Sequence, residues 1–328
     1  MTRVAVIGAG LAGLVAARGL RECSEVTVFE KSRGYGGRLA TRYGTDFEID
    51  HGAQFFTARS TEFQAFLEPL LAHGAVARWR ARFAELHRDT VSATADWDDA
   101  HPHYVGAPRM NSIGKYLAEG LTVRQNTTVA RLDRDADGWR LADSDGNALG
   151  RFDWVVCAVP AAQAAALLPD DSRLHRLAGE VRMRACYALM LAFDKPLPLP
   201  WQAALVHGAD ISWISVNSSK PLRAGRFTLV VHSTNAYADE NLDTHQPDVQ
   251  NHLLGEVSEV VGFDCDQASF RQLQRWRYAN ADKQSASPCL VDAEAQLAGC
   301  GDWFLGGRVE AAFSSGWDVA RKLRALVE

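Results

Sequence analysis

The chain has 328 residues, is 47% hydrophobic and 23% charged, and carries a formal net charge of −5. That balance is ordinary for a globular protein, and without a Lys/Arg run it gives no basis for a nucleic-acid partner. The six cysteines are scattered with no C-x-x-C, which speaks against a redox dithiol or structural zinc, and no apolar run reaches the ~18 residues of a membrane span.

In chain order, an apolar strand (Val4 to Ile7) runs into Gly8, Gly10 and Gly13, then a small-residue helix, then a strand (Val26 to Phe29) that ends in Glu30. Each residue has a physical task in holding a dinucleotide. Gly8 makes the tight turn, Gly10 lets the backbone approach a pyrophosphate, and Gly13 lets the helix lie close on the strand. Leu11, Ala12 and Gly13 open the helix, where free N–H groups and a partial positive charge face the phosphates. Glu30 stands where a carboxylate accepts both hydroxyls of an adenosine ribose. The motif begins so early that the chain is expected to have no cleavable leader and to be cytoplasmic.

A Gly-rich basic loop follows (Lys31 to Arg38), then a short strand and turn over Phe47–Thr57 and a helix over residues 61–72. Residues 76–105 read as strands, Met110 to Leu121 as a helix capped by Asn111 or Ser112, and Val123–Leu132, Gly138–Ala142 and Phe152–Val159 as strands. Ala161–Leu168 is a short helix. Strand-like runs then alternate with Pro-rich turns from Arg182 to Val231. A helix over Asp248–Val261, a strand through Gln274–Tyr278, a strand at Trp303–Leu305 and a helix over Glu310–Leu326 complete the chain. We expect one discontinuous nucleotide-binding domain (1–57, 105–168 and 276–328) and an inserted α+β substrate domain (58–104 and 169–275).

Three features favour FAD over NAD(P) as the dinucleotide. Gly36-Gly37-Arg38 directly follows the ribose acid and suits pyrophosphate oxygens. Asp302, eight residues before Glu310, is placed to bond ribityl hydroxyls, and N–H groups near Arg308 and Val309 open a helix that can face the flavin pyrimidine. The two sites also stand at opposite ends of the chain, as an extended FAD requires. Gly306-Gly307-Arg308 remains an alternative end-of-strand turn, with Asp302 then ordinary turn chemistry.

These residues, with Asp50-His51-Gly52-Ala53-Gln54-Phe55, Gly106-Ala-Pro-Arg-Met110 and Gln274-Arg-Trp-Arg-Tyr278, resemble the amine-oxidase-like flavoproteins of p-hydroxybenzoate-hydroxylase-type fold, and among them the renalase group in its short bacterial form. The resemblance runs across nearly the whole chain and implies an α/β fold with a Rossmann-like FAD-binding domain and non-covalent FAD. The activity it implies is oxidation of 2- or 6-dihydro isomers of NAD(P)H: hydride passes to flavin N5, and O2 reoxidises the flavin to give NAD(P)+ and hydrogen peroxide. Such a substrate becomes aromatic on oxidation, so the protein need supply only stacking, orientation and dryness. No catalytic side chain is therefore expected.

The cofactor set expected is Gly8, Gly10, Leu11, Ala12, Gly13, Glu30, Lys31, Gly37, Arg38, Ala53, Gln54, Val129 (through its main chain, beside adenine), Asp302 and Val309. The substrate set is Gln54, Phe55, Thr57, Arg59 and Trp97, with Tyr104 a further stacking candidate. Gln54 is read as bonding a carboxamide and Phe55 as walling the flavin ring; core packing is the competing reading for Phe55, and solvation for Arg59. His207, His232 and His245 are read as packed or exposed. The first alternative function is a flavin amine oxidase, for which Lys283 is a water-ordering candidate in a polar loop and Cys300 a covalent-attachment candidate. The second is a non-catalytic escort of the same fold, which would not need Gly8, Gly10, Gly13, Glu30 and Arg38. No metal site and no membrane contact are expected.

Overall fold

The computed structural model describes residues 1–223, 225–282 and 287–328. It divides into two compact units: Met1–Leu39, Ile113–Met183 and Asn280–Glu328 form the first, and Ala40–Ser112 with Arg184–Ala279 the second.

The first unit is built on a six-stranded sheet in the order Leu290–Asp292, Leu297–Gly299, Trp154–Cys157, Thr2–Ile7, Ser24–Phe29, Thr122–Arg124. All neighbours are parallel except the outermost pair, Leu290–Asp292 with Leu297–Gly299. Val4, Ala5, Val6, Val155, Val156 and Val28 are fully buried, as strands covered on both faces must be. The register pairs Ile7 with both Phe29 and Cys157, Phe29 with Arg124, and Cys157 with Gly299. The carboxyl ends of five strands thus lie level, so Gly8, Glu30 and the Cys300–Asp302 segment emerge from one edge. Ligands of open α/β sheets bind along that edge. A three-stranded antiparallel sheet (Val129–Asp135, Gly138–Asp143, Ala148–Phe152) belongs to the same unit.

The first helix, Leu11–Leu20, packs on the last, Val309–Val327. Glycines let them touch: a Cβ on Gly316 would stand 2.2 Å from the Ala12 carbonyl oxygen, and one on Gly19 2.6 Å from the Ala320 Cβ. Residues 12 and 19 of one helix meet 316 and 320 of the other, so the two run in the same sense. Their amino termini, each carrying partial positive charge, therefore share one end of the unit. Gly316→Ala is expected to push the helices apart and cost about 1–3 kcal/mol as an overpacking change, lowering the urea midpoint. An unchanged midpoint would mean that the contact is not close in solution.

The second unit holds a seven-stranded sheet in the order Phe270–Ala281, Met183–Phe193, Phe227–Ser233, Ile211–Val216, Ala203–His207, Arg82–His87, Thr90–Asp96. Its central strands are buried on both faces, and alternation sorts the side chains. Leu189, Leu191, Leu229 and Val231 join a core with Leu253 and Val257 of the helix Gln246–Val261. Met190, Ala192 and Val230 pack instead on Phe47 and Ile49. His232 and Ser215 sit in the same sheet, and the polar groups described below gather around them.

Several expectations need correction. Residues 40–57 and 105–112 fold with the second unit, because the hairpin of Thr41–Tyr43 with Glu48–Asp50 supplies Ile49 to that unit's core. Residues 169–183 fold with the first, where Leu174 and Ala178 of the helix Arg173–Glu180 are buried. The predicted strand Val123–Leu132 is two strands broken near Asn126, whose φ is +51°. Trp303–Leu305 is not a strand: Asp302–Phe304 is a 3-10 turn closed by Leu305 and Gly306 N–H groups on the Asp302 carbonyl. Lys283 lies outside the described residues.

Candidate active site

Two groups of residues in the first unit fit a dinucleotide. The turn after the first strand has Gly8 at φ +106°, and a Cβ on Gly13 would fall 2.0 Å from the Gly8 carbonyl oxygen, so both positions demand glycine for packing. Gly10 differs. A Cβ there would meet no protein atom within 4 Å, although Gly36 bridges to Gly10 and Gly37, at φ +57°, lies against its Cα. The backbone is bare over open space, as close approach of a pyrophosphate requires.

The helix that follows has no side-chain cap and no acid in its first turn. Its first intrahelical bond is donated by Leu14 N–H to Gly10, which leaves Leu11, Ala12 and Gly13 N–H groups without an intrahelical acceptor. The Val309–Val327 helix likewise begins without a side-chain cap, its first turn holding Val309 and Glu310. Both ends are suited to anionic or carbonyl oxygens.

Glu30 is buried, and its position is set by the backbone. Ala9 N–H donates to Oε2 at 2.8 Å and Ser32 N–H to Oε1 at 2.8 Å. Each oxygen keeps a further lone pair for a hydroxyl donor. Thr127 N–H donates to the Glu30 carbonyl, which brings the chain up to Val129 alongside. Val129 is itself buried, at the start of a strand paired with Asp143. Lys31 is exposed and donates to Gln163.

Arg38 and Asp302 form a bidentate ion pair, with Nη1 donating to Oδ2 at 2.9 Å and Nη2 to Oδ1. Asp302 is 4% exposed and follows the strand Leu297–Gly299, at the sheet edge. Two residues read separately from opposite ends of the chain therefore meet.

In the second unit, the Gly52–Phe55 turn is tied to a buried polar cluster. Asp50, fully buried, accepts from Arg223 Nη2 at 2.5 Å, Lys220 Nζ at 3.4 Å, the Thr41 hydroxyl at 2.7 Å and Met110 N–H at 3.0 Å. Burial alone would raise the Asp50 pKa, but Lys220, Arg223 and the hydrogen bonds outweigh it and hold the carboxyl below its ordinary value. Burial, set against Asp50 but aided by Arg223, brings Lys220 down to about 8. Burial is also the main cause that lowers His51 to about 4 and His232 to about 3.

Gln54 is part of this cluster. Its Nε2 donates to the Asp50 and Gly52 carbonyls at 2.7 and 3.0 Å, and its Oε1 accepts from Ser215 Oγ at 2.8 Å and Lys220 Nζ at 3.0 Å. Two donors and two acceptor positions are filled, so no capacity is left for a substrate carboxamide, and the expected contact is corrected to an internal one.

Phe55 points the other way, into a half-buried aromatic group. Its ring lies 4.8 Å from Trp97, 5.2 Å from His103 and 5.3 Å from Trp213, and His103 stacks flat on Trp97 at 3.8 Å. Sequence reasoning missed Trp213 and His103, which carry no local pattern. Tyr104 is buried against Phe56 and cannot stack on a ligand. Ala53 and Thr57 are half-buried and Arg59 is exposed. His207 and His245 are exposed, the latter 3.6 Å from Asp248. Cys300 is fully buried, and burial followed by Cys157 and Cys289 pushes its thiol well up, which leaves it unreactive. Among the described residues no His/Cys/Asp/Glu group could hold a metal, and no helix is long and apolar enough to cross a membrane.

Residues 98–324 match the family model of flavin containing amine oxidoreductases, and residues 6–70 match that of NAD(P)-binding Rossmann-like domains. The chain belongs to the flavin containing amine oxidoreductase family and is an FAD-dependent oxidoreductase, with a Rossmann-like FAD-binding domain and an inserted substrate domain. It is 24% identical to mouse renalase over 286 residues, covering 80% of each chain. Among solved structures, a protein assigned as a protoporphyrinogen oxidase from Exiguobacterium sp. 255-15 superposes with a TM-score of 0.80 at 13% identity, and each chain is 99% covered. Cyclohexylamine oxidase of Brevibacterium oxydans IH-35A superposes with a TM-score of 0.73 at 13% identity and the same coverage. Those two likenesses concern the fold.

Proposed function

We propose that the chain is an FAD-dependent oxidase, with the first unit holding the cofactor and the second presenting the substrate. When bound, FAD supplies the hydride acceptor and hands the electrons to O2, giving hydrogen peroxide. Gly8, Gly10 and Gly37 clear the backbone for the pyrophosphate, and Leu11, Ala12 and Gly13 N–H groups with Arg38 bind its oxygens. Glu30 accepts the adenosine ribose hydroxyls, with Lys31 alongside and the Val129 main chain at the adenine. Asp302 takes ribityl hydroxyls, and the Val309 N–H a flavin carbonyl. Gln54 acts by holding the turn that carries Phe55.

An amine is the substrate class best supported. The observation that carries this reading is the half-exposed aromatic group of Phe55, Trp97 and Trp213, of which Trp213 lies within the residues matched by the amine oxidoreductase model. Aromatic faces attract an ammonium group by ~0.5–2 kcal/mol and orient it without a reacting side chain. The likeness to renalase over 80% of the chain supports a second reading, in which a flat dihydronicotinamide stacks on the same rings and Arg59 meets its phosphate.

The purified protein should be yellow and release FAD on heating. Anaerobic mixing with benzylamine or putrescine should bleach it; bleaching only by 2- or 6-dihydro isomers of NAD(P)H would select the second reading. A colourless protein that cannot be loaded with FAD would end both.

A further inference from the structure

We infer that Lys220 is a positioning residue: by holding the Gln54 carbonyl oxygen it fixes the Gly52–Phe55 turn and so aims Phe55 at the aromatic group that receives substrate. This rests on the oxidase reading for its link to substrate, and on the second unit alone for its geometry. Lys220 is 2% exposed and follows Ser218 and Ser219 in a segment that reads as a surface turn. A lysine is removed from water here although Asp50 already has Arg223 at 2.5 Å. One carboxylate thus faces two cations, and a second cation is not required for neutrality.

What Lys220 adds is specific. Its Nζ donates to Gln54 Oε1 at 3.0 Å and to Asp50 at 3.4 Å, and lies over the Trp79 ring, 5.5 Å from its centroid. Gln54 in turn donates to the carbonyls of Asp50 and Gly52. The bond from a charged donor is the strong one of the set. It pulls the amide oxygen inward, which fixes the direction of the amide N–H groups and with them the turn. Phe55, the next residue, then has its ring against Trp97 and Trp213, and Trp79 packs edge-on to Trp97 at 5.3 Å. Lys220 thus touches both ends of the aromatic group, through Gln54 on one side and through Trp79 on the other.

The groups facing Lys220 are Asp50, Arg223 and His232, with neutral Gln54 and Trp79; His51 and Arg42 stand one step further out, His51 beside Asp50 and His232, and Arg42 beside His51, and Ser215 meets Gln54. With His51 near 4, His232 near 3 and Asp50 lowered, Lys220 at about 8 is the member that changes charge in mildly alkaline solution. Near-ultraviolet circular dichroism of the tryptophans, followed from about pH 6.5 to about pH 9.5, should therefore change with a midpoint near 8. Lys220→Met should show the alkaline spectrum throughout. Ser215→Ala, which removes the other donor to Gln54 Oε1 but keeps the charge, should retain the titration.

Flavin reduction in Lys220→Met, by whichever amine or dihydronicotinamide probe bleaches the wild type, should be about 10- to 100-fold slower at unchanged FAD content. A wild-type spectrum flat across that range, or a midpoint that survives in Lys220→Met, overturns the proposal. If the methionine variant does not fold, Lys220→Gln is read by the same two criteria. A chain that no probe reduces removes the oxidase reading and leaves the spectral titration to decide the positioning role.

Discussion

Asp50→Ala is expected to cost the second unit about 3–5 kcal/mol, the penalty for removing one partner of a buried ion pair and leaving the other charged. Here two cations are left, Lys220 and Arg223, both with side chains at most 1% exposed. Met110 N–H and the Thr41 hydroxyl lose their acceptor as well. Against a typical stability of about 5–15 kcal/mol, that loss is a large share and should lower the urea midpoint clearly. Asp50→Asn keeps an acceptor for those two donors but removes the charge, so it should fall between wild type and alanine in urea midpoint.

Acid acts on the same cluster, and the signs differ by group. Asp50 is lowered on folding, so its stabilisation is complete above its unfolded value of 3.8 and is lost as pH falls through its lower folded value. His51 and His232 are lowered from 6.5 to about 4 and about 3, so the folded state binds fewer protons there and stability falls as pH drops from about 6.5 toward 3. Lys220 is lowered from 10.5 to about 8, so stability rises with pH between those values while the positioning bond loses its charge assistance. A urea midpoint for Asp50→Ala equal to that of wild type would show the carboxylate to be unpaired in solution.

What was legible in the sequence was local. The first strand, the glycines, the helix and Glu30 follow one another within a span whose apolar pattern and spacing are self-contained, and the register places them where that pattern implies. The eight-residue interval from Asp302 to Glu310 singles out Asp302, whereas the apolar run Trp303-Phe304-Leu305 suggests a strand that the structure does not form. Its hydrophobicity serves tertiary contacts instead: Trp303 and Phe304 are buried in the first unit's core, and the Trp303 indole donates to the Val159 carbonyl. Gln54 is bonded internally where its loop suggests a substrate contact. Its partners Ser215, Lys220 and His232 are 161, 166 and 178 residues away in sequence, and nothing near Gln54 announces them. Lys220 was invisible for the same reason, since a lysine between serines and a proline has the composition of a solvated turn.

Glu30→Ala is expected to weaken FAD retention about 100-fold. Two hydrogen bonds from ribose hydroxyls to a carboxylate are worth about 1.5 kcal/mol each at the low end of the charged range, and about 1.4 kcal/mol is a factor of ten. The side chain is already held by Ala9 and Ser32 N–H groups, both at 2.8 Å, so ligand binding does not have to order it. That preorganisation is what makes the contribution large, because little rotamer entropy is spent on contact. Glu30→Gln tests the same point by charge and geometry together: the amide can present its oxygen to only one of the two backbone donors, and its NH2 must face the other. It should therefore retain FAD little better than alanine, although it is nearly isosteric. Flavin retained per chain after gel filtration, with the dissociation constant from fluorescence quenching on FAD titration, measures both variants. Tight binding in Glu30→Gln would mean that the carboxylate does not meet the ribose, and Glu30 would then be a backbone brace for the Gly8 turn alone.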